Sequence, residues 1–263
     1  MFKTLPARLQ HEWALLLLAL SFTTRLPLAD GEVSAHDLDA CRRYFSAAGA
    51  VIGAVIAAVY TLASSGLPVP VAVMFALTTG LLLTGGLHED GLADTCDGLG
   101  GGWSAVDKLT IMKDSRLGIY GALGLIASVG LRAVLLMSVG EALGWEGVCA
   151  ALIVAHAASR GAAIFVMALL PYARVENSRV AALSRTIDGK DVTLVGVIAM
   201  VLAVLLGGIP ILLTGMIILS VLVWAASRFF RAQLGGYTGD TLGAVQQCAE
   251  IAIYTMWLFV CLS

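Results

Sequence analysis

The sequence predicts an all-α fold: a polytopic membrane helical bundle of about seven transmembrane helices, with a short N-terminal partial-span or interfacial helix. Three observations lead there. Of 263 residues, 59% are hydrophobic and only 13% charged, where a soluble domain carries about a quarter charged residues. The apolar residues gather into runs long enough to cross a bilayer, which takes about 20 helical residues. Among the connections between those runs, lysine and arginine fall only in alternate ones, the signature of basic loops held on the cytoplasmic side.

The first apolar segment, residues 13–26, is too short to span and carries Arg25. It reads as a partial span or an interfacial helix. Lys3 and Arg8 precede it as in a signal peptide, but no small-x-small cleavage site follows, so the segment is expected to be retained. Seven stretches then qualify: 45–64, 69–87, 118–140, 147–170, 192–207, 209–226 and 244–262. The fifth and sixth are separated only by Gly207-Gly208-Ile209-Pro210, a tight helical hairpin. Arg42, Arg43, Lys108, Lys113, Arg116, Arg174, Arg179, Arg185, Lys190, Arg228 and Arg231 lie in one set of loops. The opposite connections, near Gly66, Glu141, Gly208 and the C-terminus, contain neither Lys nor Arg. The Gly-rich stretch Gly98–Gly102 reads as a flexible break, and the chain as one domain over 1–263. Five scattered cysteines form no CxxC pair and read as small apolar fillers. The net charge of −2 gives no sign of a nucleic-acid partner.

Four carboxylates and an imidazole follow the second of these stretches: His88, Glu89, Asp90, Asp94 and Asp97. Such groups repel one another and are costly to desolvate at a bilayer edge. A divalent cation with phosphate is the neutraliser that suits them. Asp90, Asp94 and Asp97, spaced i, i+4, i+7, share one helical face and are the candidate Mg²⁺ ligands. Glu89 falls off that face, and His88 lies beside it. In Lys113-Asp114-Ser115-Arg116, Asp114 is a candidate ligand or base, and Lys113 and Arg116 are candidate phosphate contacts; an ordinary charged cap before a span reads equally well. In Gly235-Gly236-Tyr237-Thr238-Gly239-Asp240, the glycines can let backbone N–H groups approach an anion. There Thr238 and Asp240 are the candidate substrate contacts, with helix capping the plainer role for Asp240. Glu250 and Gln246 mark a polar stripe in the last span. Arg132 and Arg160, both within spans, must face protein or water. An internal salt bridge, for instance with Glu250, is expected for Arg132, and phosphate binding for Arg160. Residues 172–191 read as a lid or a topogenic loop.

These elements resemble, in order, the motifs of the cobalamin synthase family (CobS, adenosylcobinamide-GDP ribazoletransferase). His88 to Gly98 looks like its HxDGLADxxDG signature, and Ile111 to Gly118 its I/M-M-R/K-D-S-R-x-G element. Gly235 to Ala244 is similar to GGxTGDxLGA, and Phe22 to Pro27 to F-x-S/T-R-L/I-P. The resemblance implies a Mg²⁺-dependent, multi-pass enzyme of the bacterial inner membrane with a cytoplasmic active face. It implies the last assembly step of cobalamin: adenosylcobinamide-GDP is joined to α-ribazole or its 5′-phosphate, and GMP is released. On that reading Asp90, Asp94 and Asp97 hold metal. Asp94, Asp97, Asp114 and His88 are the catalytic candidates; Lys113, Arg116, Arg160, Thr238 and Asp240 bind substrate. Glu89 occupies a variable motif position and receives no role. The lipid bilayer is the expected surrounding, and an oligomer is left open.

Two other readings stand beside this one. A CDP-alcohol phosphotransferase shares the membrane helices, aspartates and Mg²⁺, but its DGxxAR run would need Arg where Asp94 follows Ala93. A cation-coupled transporter would place its acids near the midplane on broken helices, whereas most acids here border one face.

Overall fold

The computed structural model describes residues 6–29, 33–174 and 187–262. Arg179, Arg185 and most of the stretch expected to form a lid lie outside them, as does Lys3. Among the described residues nine α-helices follow in order: α1 Ala7–Thr23, α2 Ala35–Cys41, α3 Phe45–Ser64, α4 Val69–Thr84, α5 Leu87–Gly101, α6 Ala105–Ile111, α7 Ile119–Leu169, α8 Gly189–Leu234 and α9 Gly239–Leu262. A single turn of tighter helix, Arg42–Tyr44, joins α2 to α3. Among the described residues the one β-type contact is an isolated parallel bridge between Tyr172 and Tyr237. The expected all-α bundle is what the chain forms. A bilayer imposes this, because a helix satisfies every backbone N–H and C=O within its own segment.

Among the described residues four helices are long and apolar enough to cross a membrane, or five if the bent pair α4–α5 counts as one. Two of the four double back. Arg132 and His156 are both on α7, yet both reach the same Glu250 carboxylate, at 3.1 and 2.8 Å. A straight helix would hold them about 36 Å apart. The chain reverses at Gly144, whose φ of 70° and ψ of −170° suit glycine alone. α8 reverses likewise at Gly208 (φ 77°, ψ −176°), where the hairpin was expected, with Pro210 just beyond it. Large side chains such as Leu62, Leu82, Ile126, Leu205 and Phe259 point outward, as they must where the surrounding solvent is lipid.

Small residues set the interior spacing. A Cβ on Gly49 or Gly53 of α3 would collide with backbone atoms of His156 and Leu152 in the second arm of α7. That close approach is the small-residue packing by which membrane helices gain contact without a hydrophobic driving force. Gly98, Gly100 and Gly101, expected to belong to a flexible break, are instead helical and end α5. Their lack of side chains lets α6 and Tyr120 lie against them, since a Cβ on Gly98 would strike Lys108 O and Met112.

One junction positions everything that follows. α4 ends at two consecutive glycines in left-handed conformation, Gly85 (φ 71°) and Gly86 (φ 70°). α5 therefore leaves at 86° to α4 and runs across the rim of the bundle. α1 reaches the same rim, where Arg25 N donates to Leu83 O at 2.9 Å.

Gly208→Ala is expected to cost about 1–3 kcal/mol, since only glycine tolerates that backbone region. The measurement is the midpoint of thermal unfolding in detergent. Gly130→Ala, at helical φ with open space around its Cβ, is expected to leave the midpoint unchanged or raise it.

Candidate active site

The acid-bearing helix α5 crosses the start of α9 at van der Waals distance. A Cβ on Gly91 would lie 2.9 Å from Asp240 O, and one on Gly243 would lie 3.0 Å from His88 O. Two glycines thus bring Asp90 and Asp94 of α5 beside Asp240 of α9. The three carboxylates are close enough to repel one another, and Arg174 is the cation that opposes them.

Arg174 was missed as a site residue in the sequence, where it counted only as a loop charge. The loop after α7 is pinned to the loop before α9 by Ala173 N donating to Tyr237 O (2.8 Å) and Tyr237 N donating to Pro171 O (3.0 Å). That pairing delivers the Arg174 guanidinium to Asp240 Oδ2 at 2.6 Å. No spacing rule links residues 66 apart. The glycines expected to form an anion nest do other work. Gly235 ends α8 in left-handed conformation, and a Cβ on Gly236 would collide with Pro171 O. Nor does Asp240 cap α9: Thr238 Oγ1 accepts from Thr241 N at 3.2 Å and donates to Asp240 Oδ2 at 3.3 Å. Thr238 is fully buried in this role.

The three aspartates of the acidic motif part ways. Asp97 accepts from Gly118 N (2.7 Å) and Gly121 N (2.8 Å), placing its charge against the positive end of α7. Asp90 and Asp94 remain on the ridge of α5. Among the described residues no group of three or more His, Cys, Asp or Glu is gathered closely enough to hold a metal ion. Asp114 is engaged by Arg116, whose Nε and Nη2 donate to both its oxygens. This exposed pair holds the Asp114 carboxyl down at about 2, chiefly through its hydrogen bonds from Arg116. Lys113 beside them is exposed.

Two cavities meet at Asp90. One, of about 520 Å³, lies between α1, α3, the second arm of α7 and α9; Arg160, His88, Asp90, Asp240 and Gln246 are among its polar lining residues. The other, of about 500 Å³, is more open and borders Glu89, Asp90, Asp94 and Ser115. Thr84, Leu87 and Asp90 belong to both walls.

Beneath α5 the polar residues of the bundle close into one network. Arg132 donates to Glu89 Oε1 (3.0 Å) and Glu250 Oε2 (3.1 Å). This is the internal salt bridge expected of Arg132, and it engages Glu89, which sequence reasoning had left without a role. Glu250, 1% exposed, faces His156 Nδ1 at 2.8 Å and accepts from Gln246. Arg160, 2% exposed, donates through Nη1 to His156 O at 3.0 Å. Its Nε and Nη2 have no hydrogen-bond partner among the described residues. A buried guanidinium with unpaired donors, in a side chain that lines a cavity, is a candidate anion contact.

The chain matches the family model described as cobalamin-5-phosphate synthase over residues 15–258. It is 41% identical over 255 residues to an adenosylcobinamide-GDP ribazoletransferase of Shewanella woodyi, covering 95% of this chain and 97% of that one. Similar proteins of the same name occur in Shewanella halifaxensis (42% identical, 95% and 97% covered) and Leptothrix cholodnii (44%, 96% and 97%). No solved structure matches the chain.

Glu250→Ala is expected to cost about 3–5 kcal/mol, because it strands buried cations. Thr238→Ala is expected to cost about 0.5–2 kcal/mol through the lost cap, and the exposed Asp114→Asn is expected to leave stability essentially unchanged. Unfolding in detergent, followed for the three variants side by side, checks this order.

Proposed function

Because the chain belongs to the cobalamin-5-phosphate synthase family, we infer that it carries out the reaction for which its relatives are named. It is an adenosylcobinamide-GDP ribazoletransferase, an enzyme of cobalamin biosynthesis. It joins adenosylcobinamide-GDP to α-ribazole or the 5′-phosphate of α-ribazole. The 3′-hydroxyl oxygen of the acceptor bonds to the phosphorus next to cobinamide. The bridging P–O bond breaks, its electron pair leaves with GMP, and the hydroxyl proton passes to a base. The observation that carries this reading is the meeting, at Asp90, of two cavities edged by carboxylates, the larger of them also lined by the buried Arg160.

Each residue takes a task from its surroundings. Arg160 offers Nε and Nη2 to a phosphate oxygen without breaking its own bond to His156 O. His88 stands on the wall of the larger cavity with Asp90 and Asp240, within reach of an acceptor hydroxyl there, and is the candidate base. Arg174 fixes Asp240. Asp97 holds the start of α7 against α5, so the loop that carries Ser115 borders the second cavity.

Mg²⁺ fits this donor set in one particular way. Asp90 and Asp94 repel each other, which a divalent cation would relieve. Mg²⁺ is commonly held by one or two carboxylates, with substrate phosphates and water completing its shell. A ready-made group of three ligands is not required, and Asp97 is otherwise engaged. When bound, the ion would neutralise charge on the diphosphate and on the departing GMP. The basic loops (Arg42, Arg43, Lys108, Lys113, Arg116) share the acidic motif's side of the chain, which argues for a cytoplasmic active face in a bacterial inner membrane.

The test is product analysis of purified protein in detergent with adenosylcobinamide-GDP, α-ribazole and Mg²⁺. GMP and adenosylcobalamin are expected in equal amounts, and EDTA is expected to stop both. Conversion of CDP-diacylglycerol instead would overturn the assignment. Asp94→Asn is expected to lower kcat by about 100-fold or more while membrane insertion is unchanged.

A further inference from the structure

The wall of the larger cavity is of two chemical kinds. Arg160, His88, Asp90 and Asp240 are charged or titratable. Phe22, Phe45, Ile164 and Met167 are apolar, with the Phe22 and Phe45 rings 5.6 Å apart, and Ser21, Thr23 and Thr24 add hydroxyls. Those hydroxyls are already engaged. Ser21 Oγ accepts from Leu28 N and Ala29 N, both at 2.9 Å. Thr23 Oγ1 donates to Ala19 O at 2.8 Å, and Thr24 Oγ1 donates to Leu20 O at 2.7 Å. The Phe22–Phe45 part of the wall therefore offers an aromatic and aliphatic surface whose few hydroxyls are each bonded at least once to the protein's own backbone.

That surface discriminates between the two bases of the reaction. Guanine presents donors at N1 and N2 and acceptors at O6 and N7, and burying them unpaired is unfavourable. A benzimidazole lacks exocyclic amino and carbonyl groups and packs well against Phe and Met. Size agrees: about 520 Å³ lies in the range of roughly 300–1,000 Å³ usual for small organic ligands, and a corrinoid is far bulkier. Direction agrees as well. In-line displacement brings the nucleophile in opposite the leaving group. The second cavity, on the other flank of the Asp90–Asp94 ridge, leaves a separate side for the departing nucleotide.

We propose that the cavity between α1, α3, α7 and α9 is the acceptor subsite, with the benzimidazole of α-ribazole among Phe22, Phe45 and Met167 and its ribose hydroxyl turned toward His88 and Asp90. This rests on the ribazoletransferase reading. α1, which is not among the helices long enough to span, thereby becomes one wall of a substrate site.

Ala163 lines the same cavity, and Ala163→Phe projects a ring into it. Steady-state kinetics of the purified full-length protein in detergent are expected to show the KM for α-ribazole raised about tenfold or more. The KM for adenosylcobinamide-GDP is expected to stay within about threefold. A rise for adenosylcobinamide-GDP with none for α-ribazole, or no change in either, overturns the proposal. Should Ala163→Phe fail to fold, Met167→Gln, which sets a polar amide in the apolar part of the wall, is expected to give the same split. Thermal shift with α-ribazole alone separates the two levels of the argument. A wild type that turns nothing over sinks the transferase reading. Stabilisation by α-ribazole in the wild type and its loss in Ala163→Phe support the subsite; equal shifts in both, or none in either, overturn it.

Discussion

Glu250 is a carboxylate almost wholly removed from water, and the bundle is organised to make that tolerable. Arg132 reaches it from the first arm of α7 and His156 from the second. Gln246 bonds to it from one turn earlier on α9, and Arg132 carries the network on to Glu89 of α5. In a low-dielectric interior an unpaired ion is prohibitive, and a pair is acceptable only when its remaining groups are also satisfied. The network therefore requires α5, both arms of α7 and α9 to meet. The Gly144 reversal and the Gly85-Gly86 bend are the backbone conditions for that meeting.

The same requirement explains why Arg160 is available. It shares the space around Glu250, with Nη1 3.9 Å from Oε1, but the closer positions are taken by Arg132, His156 and Gln246. Nε and Nη2 of Arg160, a residue that lines the larger cavity, are left without a hydrogen-bond partner among the described residues. A structural ion network thus delivers one preorganised anion contact next to the carboxylates of α5. At the rim the balance is reversed, since Asp90, Asp94 and Asp240 face one another with Arg174 as their opposing cation. An excess of negative charge suits a cation brought in with a diphosphate.

Much of this was legible in the chain because hydropathy and charge are local properties. The expected stretches 45–64 and 69–87 correspond closely to α3 and α4, and the α8 hairpin sits at the Gly-Gly-Ile-Pro expected to form it. The acidic motif was also plain, since i, i+4, i+7 spacing is read within one helix. The helical phase places Asp97 near Asp94, but not the N-terminus of α7 that takes up its carboxylate. The glycines misled for the same reason. Gly98 and Gly236 look like flexible points in the sequence, and each is instead a site of close packing against a distant segment.

The sequence by itself determined a membrane-embedded helical protein, the helix acids and the order of motifs, because lipid selects long apolar helices and excludes unpaired charge. Only the tertiary structure decided which charges neutralise which. Arg132 with Glu250 and Arg174 with Asp240 are pairings across 118 and 66 residues. They exist because two glycine reversals and one right-angled bend return distant helices to the same rim, and partners at such separations leave no periodic trace in the chain.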